Sequence, residues 1–272
     1  MLYYIFADLM NILLINDDGY QAAGINALYR KLTETHKVIM IAPDRERSGC
    51  GMSFTIYSEL LLKKIDNGRY SLSGTPVDCA KTGILKKNIP VDLVISGINM
   101  GPNLGNDINY SGTVSAAHHA WAAGVPALAI SHNSFDHSGR TYDHEASAVE
   151  KIIGSIGDFS IPFLYNINFP ADFSLIKGLK ITVPGKRIYK DSLQCTDYKE
   201  DSEKIFFQSE PPENGLEPES DTLAVTENFI SLSPLSQLYA GFPLWVGGSR
   251  PYNIVSDLLR LDKNLARLAG LF

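Results

Sequence analysis

Residues 11–19, NILLINDDG, set the fold: a β-branched, apolar run ends in two adjacent aspartates and a glycine. Asn11 to Asn16 has the composition of a buried strand. Beyond it, Gly24 to Thr35 carries Ile25, Leu28 and Leu32 at helical spacing, and Lys37 to Ala42 (KVIMIA) is a second strand. The opening is therefore a βαβ unit. Three further runs of the same kind follow at Val91 to Ser96, Val125 to Ser131 and Leu164 to Phe169. Runs so nearly continuous in apolar residues suit strands covered on both faces. Alternating with helical stretches, they predict an α/β protein, three layers deep, with a mainly parallel sheet. Between residues 53 and 73 two extended runs flank Asp66-Asn67-Gly68, whose Asn-Gly pair accepts the positive φ of a tight hairpin. A helix is expected from Pro76 to Lys86, with proline in its first turn.

Past residue 184 the composition changes. Residues 209–221, SEPPENGLEPESD, are acidic and proline-rich and resist both helix and central strand. They predict a long loop inside a smaller β-rich extension that resumes from Thr222 to Ser233. Leu258, Leu259, Leu261, Leu265, Leu268 and Leu271 give an amphipathic helix over Ser256 to Leu271, packing either on a second subunit or on its own core. Residues 1–183 are accordingly read as the core that carries the site. Residues 184–272 are read as an oligomerising extension rather than an independent domain.

The 272 residues carry a formal charge of -6, so the surface as a whole repels polyanions. Duplex nucleic acid is not an expected partner, and a phosphate-bearing ligand must be captured by a local site. Cys50, Cys79 and Cys195 are odd in number and widely spaced, which suits reduced structural thiols. The first ten residues, MLYYIFADLM, lack the basic start and cleavage site of a signal peptide. Residues 1–9 read equally as an upstream extension or a packed arm. With no run of about 18 apolar residues, the expectation is a soluble, cytoplasmic protein without membrane contact.

In open α/β sheets ligands bind where strands end at their carboxyl side. Three such ends are polar and glycine-bearing: Asn16-Asp17-Asp18-Gly19, the segment from Pro43 to Gly49 (PDRERSG), and the segment from Gly97 to Asn103 (GINMGPN). Adjacent carboxylates at a buried sheet end repel each other and lose solvation, a cost that a divalent cation offsets. Gly19 permits the sharp turn that would bring both to one ion. Taken alone, the pair also reads as one helix cap and one solvated acid. Ser48 and Asn99, each an ordinary turn former by itself, add two neutral oxygens from neighbouring strand ends. Two carboxylates with two neutral oxygens suit one Mg²⁺ or Mn²⁺ per subunit better than zinc.

The segment Asn109-Tyr110-Ser111-Gly112-Thr113 precedes a helix marked by Val114, Ala117 and Trp121 and ending near Gly124. Free N–H groups at such a start bind anions, although Ser111 and Thr113 are equally good caps. His118 and His119 read as packing or surface residues of that helix. His132, His137 and His144 fall in or near a polar loop, where they could shape a pocket rim. Arg45 and Arg47 could touch a phosphate or stay solvated. The first turn lacks GxGxxG spacing, which disfavours a dinucleotide-dependent dehydrogenase.

From Met10 to about Leu235 the motifs resemble those of the SurE survival-protein family of nucleotidases. The matching stretches are NILLINDDGYQAAGI, APDRERSG, SGTPVDCA, VDLVISGINMGPNLGNDINYSGTVSAA and, more weakly, DTLAVTENFISLSPL. The resemblance implies a Rossmann-like fold and hydrolysis of nucleoside 5′- and 3′-monophosphates, with short polyphosphate as a further substrate in some members. It implies that Asp17, Asp18, Ser48 and Asn99 bind the divalent metal, and that Asn103, Ser111, Gly112 and Thr113 lie around the phosphate. The metal would bind a phosphoryl oxygen and orient the attacking water, and the share of Asp17 and Asp18 in activating that water stays open. A homodimer or homotetramer with exchanged C-terminal elements is also implied. The chain departs from the pattern at Glu46 and Cys50-Gly51-Met52, on the expected pocket rim, and at Glu227-Asn228-Phe229. The rival from another class is a non-catalytic nucleotide sensor, which has no use for paired carboxylates facing a phosphate.

Overall fold

The structure, a computed structural model, describes residues 9–86, 90–134, 139–199, 202–236 and Leu268. In chain order its main elements are β1 (Asn11–Ile15), α1 (Ala23–Leu32), β2 (Lys37–Pro43), β3 (Leu62–Asp66), β4 (Arg69–Leu72), α2 (Pro76–Leu85) and β5 (Leu93–Met100). Next come α3 (Gly112–Ala122), β6 (Ala127–His132), α4 (Asp143–Ser155), β7 (Leu164–Phe169) and β8 (Leu179–Ile181). The remainder comprises β9 (Arg187–Ile188), β10 (Asp191–Lys199), β11 (Ser202–Ser209), β12 (Glu213–Asn214), α5 (Asp221–Thr226) and β13 (Ile230–Pro234).

Nine strands form one sheet in the order β3-β4-β2-β1-β5-β6-β7-β13-β8. From β4 to β7 neighbouring strands are parallel. The chain leaves β1 toward β2 on one side and later returns to place β5 on the other, so the strand order reverses at β1. That reversal opens a crevice at the carboxyl ends of β1 and β5.

Alternation along β1 shows why the apolar run is continuous. Ile12 and Leu14 pack with Ile25 and Leu28 of α1 and Val149 and Ile152 of α4. Leu13 and Ile15 pack with Cys79 and Ala80 of α2 and Val114 and Ala117 of α3. Helices thus cover both faces, the three-layer arrangement expected from the sequence. Thr75 starts α2 with a reciprocal cap to Asp78, and Pro76 occupies its first turn. The hairpin between β3 and β4 turns at Asn67-Gly68, with Gly68 at φ 88°.

The structure refines four readings. The third polar strand end continues strand β5 through Met100, because pairing with β6 resumes at Asn99 and Met100 after a register shift beyond Ser96. Gly97, at φ 137°, absorbs that irregularity, and Asn99 then lies beside Ser131. Thr222–Thr226 is helical rather than extended, since the Ser220 hydroxyl accepts from the Leu223 N–H and starts α5. His132 belongs to β6 and is fully buried, while His144 sits in α4, stacked on Phe173 with ring centroids 5.4 Å apart. Both border the connection between β6 and α4 rather than lie within it.

Beyond residue 184, β10 pairs with β11 as a separate antiparallel hairpin and β9 pairs with β12. β13 then re-enters the main sheet, antiparallel to β7 and parallel to β8. Of the C-terminal helix expected over 256–271, only Leu268 is described, and it is buried in the core on the α1/α4 face. His137 and residues 1–8 lie outside the described residues. Among the described residues no helix is long and apolar enough to cross a membrane.

Gly24 presses α1 against β5, where an added Cβ would stand 2.1 Å from the Ile98 carbonyl oxygen. Gly24→Ala is therefore expected to cost about 1–3 kcal/mol of stability in urea unfolding. An unchanged midpoint would show that α1 does not rest on that backbone.

Candidate metal and phosphate site

The loops after β1, β2 and β5 meet the start of α3 at the crevice. Gly19 turns the chain at φ 97°, and a Cβ there would lie 3.3 Å from the Arg45 carbonyl carbon. The Arg47 N–H donates to the Asp17 carbonyl at 2.7 Å, and the Tyr20 N–H to that of Pro43 at 3.0 Å. These bonds fix the β1 and β2 loops against each other, and Ser48, next to Arg47 in the second loop, is exposed.

The two carboxylates are held by different elements. Asp17, 3% exposed, accepts from the Thr113 N–H at 3.2 Å and from the Thr113 hydroxyl. Asp18 is half-buried and accepts from the Met100 N–H at 3.2 Å. Burial pushes the Asp17 carboxyl above the usual carboxylate range, with the Thr113 donors opposing. Burial, then the neighbouring charge of Asp17, pushes Asp18 up to about 8, with the Met100 N–H opposing and Glu46 adding repulsion. Among the described residues no lysine, arginine or histidine pairs with either carboxylate.

Two desolvated carboxylates without a counter-charge fit a divalent cation, and the neighbouring oxygens extend the donor set. Asn99, 9% exposed, uses its amide N–H on the Gly101 carbonyl at 2.9 Å, leaving its side-chain oxygen without a donor among the described residues. Asn16 likewise donates to the Gly19 carbonyl at 2.9 Å, and its buried Oδ1 has no partner among the described residues. The Ser48 hydroxyl donates to Glu46 Oε1 at 3.0 Å, which leaves its lone pairs free and places a third carboxylate on the rim. No group of three or more His, Cys, Asp or Glu side chains among the described residues could hold a metal. Carboxylates and neutral oxygens such as these are the ligand types that hard cations prefer.

On the other side of the crevice, Ser111 caps α3 and accepts from the Val114 N–H at 3.1 Å. Because Thr113 N–H already serves Asp17, the helix start is directed at that carboxylate rather than standing open. The Gly112 N–H has no acceptor among the described residues. Gly112 is also where the backbone comes closest: a Cβ would lie 2.9 Å from Asp17 Cβ and 3.0 Å from Cys50 Sγ.

Asn103 is locked in a buried amide network that sequence reasoning missed. Its N–H donates to Asn168 Oδ1 at 2.8 Å, and its side chain to the Ser131 hydroxyl at 2.8 Å. Its carbonyl accepts from the Asn166 and Asn168 amides at 2.8 and 3.1 Å. The available signal was two asparagines two apart in the otherwise apolar strand LYNINF, where one face of β7 must satisfy polar groups.

Other candidates lie elsewhere. Arg47 points to the end of β4, bonded to the Ser73 carbonyl at 3.2 Å and 3.5 Å from Asp44, and Arg45 is exposed. His118 and His119 are half-buried on α3. His132 Nδ1 lies 3.2 Å from Glu145 Oε1 in the interior rather than on a rim.

A parallel sheet with paired acids at its reversal point, faced by a helix start, defines a Rossmann-like α/β protein with a candidate ligand site at its strand ends. The model of the family described as "Survival protein SurE" matches residues 12–191, and the chain belongs to that family. A protein from Thermosipho melanesiensis named 5'-nucleotidase SurE is 40% identical over 236 residues, covering 84% of this chain and 91% of its own. One of the same name from Idiomarina loihiensis is 39% identical over 236 residues, covering 84% and 92%. The crystal structure of the SurE protein from Aquifex aeolicus matches with a TM-score of 0.69 at 34% identity, covering 92% of this chain and 99% of that one.

Gly112→Ala is expected to weaken Mn²⁺ binding about tenfold in calorimetry by displacing Asp17. Unchanged affinity would mean that Asp17 is not part of a cation site. A second expectation concerns pH. A carboxyl whose folded value is raised favours the fold below its unfolded value of 3.8, and that contribution is lost as pH rises toward about 8. In chelator, the melting temperature should fall over this window, and Asp18→Asn should flatten the fall. Parallel curves for wild type and variant would contradict the shift.

Proposed function

We propose that this chain is a metal-dependent phosphomonoesterase that hydrolyses nucleoside 5′- and 3′-monophosphates to nucleoside and phosphate. The observation that carries it is the pair Asp17–Asp18, desolvated and without a cationic partner among the described residues, with Asp17 held by the start of α3. The shared name of the relatives, 5'-nucleotidase, agrees with that chemistry. In this reading Asp17, Asp18, Ser48 and Asn99 hold one Mg²⁺ or Mn²⁺, and Asn103, Ser111, Gly112 and Thr113 surround the phosphate.

When bound, the cation supplies charge neutralisation for a phosphoryl oxygen and favours the ionised form of an attacking water. The chain supplies positioning. Thr113 fixes the Asp17 carboxylate through both its N–H and its hydroxyl, so that acid is rigid and poorly placed to attack phosphorus itself. Asp18 keeps one oxygen beyond its bond to Met100, and the Gly112 N–H remains to meet the phosphate. Water then forms the new bond to phosphorus as the ester P–O bond breaks, which needs mainly alignment and electrostatic support. With a net charge of -6, the surface offers no long-range pull on such substrates, so affinity resides in these local donors.

The extension from residue 184 is read as the oligomerising part, in a homodimer or homotetramer. Leu193, Ile205, Phe206 and Phe207 are exposed on β10 and β11. A lone two-stranded hairpin with that much apolar surface suits an interface between copies.

The test is phosphate release from a panel of nucleoside monophosphates with Mg²⁺, with Mn²⁺ and with chelator. Chelator should abolish release, and Asp17→Asn should lower kcat/KM by roughly 100-fold or more. Nucleotide binding without release in wild type would favour a sensor, and equal release by wild type and Asp17→Asn would remove the site.

A further inference from the structure

Asp221 is a completely buried carboxylate with no role in the site described above. Its Oδ2 accepts from the Gly105 N–H at 2.9 Å and its Oδ1 from the Gly185 N–H at 2.8 Å. One side chain therefore bridges two segments far apart in sequence. Both glycines are required by the closeness of the joint. Gly105 sits at φ 52°, and a Cβ on it would lie 2.8 Å from the Gly185 carbonyl oxygen. A Cβ on Gly185 would lie 2.4 Å from Thr222 Oγ1.

The joint is reinforced next door. Gly105–Asn109 is a single turn of 3-10 helix. The Arg187 N–H donates to Asn106 Oδ1 at 2.7 Å, and Arg187 Nη1 lies 2.5 Å from Asp107 Oδ2. The Tyr189 hydroxyl donates to that same Asp107 oxygen at 2.7 Å. This turn is the span between Asn103 and Ser111, the two ends of the phosphate side of the site. At the Asn103 end it is tied to β6 and β7 by the buried amides, and along its middle to residues 185–189 and 221.

From this geometry we infer that Asp221 is a positioning residue for phosphate binding, acting through Gly105 to hold the 103–111 span in register with Asp17 and α3. Burying a carboxylate without a cation is costly, and packing alone would be served by an apolar side chain. Burial accordingly pushes Asp221 up to about 6, against the pull of the N–H groups that hold it. The extension that carries Asp221 is then part of the frame of the active site. This inference rests on the proposed phosphate side, and its test separates the two.

Binding of inorganic phosphate to the full chain with saturating Mn²⁺, measured by calorimetry, does not require turnover. Asp221→Asn keeps the shape but sets an amide N–H₂ against a backbone N–H. It should weaken phosphate binding about tenfold while Mn²⁺ affinity stays within about twofold, with KM raised more than kcat is lowered. Thr222→Val removes the Thr222 hydroxyl's bonds to the Gly215 carbonyl and the Ser220 hydroxyl within the extension without touching Gly105. It should leave phosphate affinity unchanged, which a general loosening of the extension would not. Phosphate affinity within about twofold of wild type for Asp221→Asn, or an equal loss in Thr222→Val, overturns the inference. Should Asp221→Asn fail to fold, Arg187→Met cuts the neighbouring tie to Asp107 and is judged by the same two criteria. A wild type that binds phosphate but does not hydrolyse nucleotides defeats the enzymatic reading and leaves this test standing. A wild type that binds no phosphate defeats both.

Discussion

Two carboxylates buried side by side at the end of a central strand repel each other through a poorly polarisable medium, and the surroundings of Asp17 and Asp18 are arranged around that repulsion. The positive end of α3 meets Asp17 through the Thr113 N–H and hydroxyl. The backbone of β5 meets Asp18 through Met100. Each contact lowers the cost of one charge and leaves the pair under-compensated. Gly112 lacks a side chain because any Cβ would occupy the space that the Asp17 carboxylate needs. A site in this state has its electrostatic strain built in before any ligand arrives, and a small dication is the ligand that relieves most of it.

Much of the fold was legible in the sequence because its strongest signals are local. NILLIN, KVIMIA and LYNINF are too apolar to be anything but doubly covered strands, and Asn67-Gly68 marks a hairpin by backbone chemistry alone. The placement of Asp17 and Asn99 at neighbouring strand ends followed from the rule that strand ends gather ligands. What escaped depends on contacts between distant residues. The extension of β5 through Asn99 is set by pairing with β6. The helix at Asp221–Thr226 is set by a cap at Ser220 in a stretch whose composition suggested β structure. The burial of His132 escaped because nothing nearby in sequence announces that α4 will cover this residue at the border of a loop.

Of the candidate site, the residue types were legible in the sequence and the contacts behind them were not. Paired acids and a serine-glycine-threonine helix start are recognisable by type and spacing. The amides of Asn166 and Asn168 become meaningful only once β7 is placed beside the Asn103 span, and the Asp221 bridge only once the extension folds back. The rim residue Glu46 is a further case. In sequence it is one more charge in an exposed loop. In the structure it accepts from Ser48 and adds repulsion to both aspartates, so it sharpens the demand for a cation while opposing an incoming anion.

The insertion of β13 between β7 and β8 bears on how the chain reaches its native state. Until residue 234 is available, β7 is the last strand of a parallel sheet and presents a bare row of backbone donors and acceptors. Such an edge pairs readily with another chain. During synthesis the chain must run out through the β10–β11 hairpin and back before its own strand can cover that edge. The interval is a window for intermolecular association, and its length is set by the excursion rather than by the core. Shortening or stabilising the hairpin would alter yield and solubility during folding, even where the finished active site is untouched.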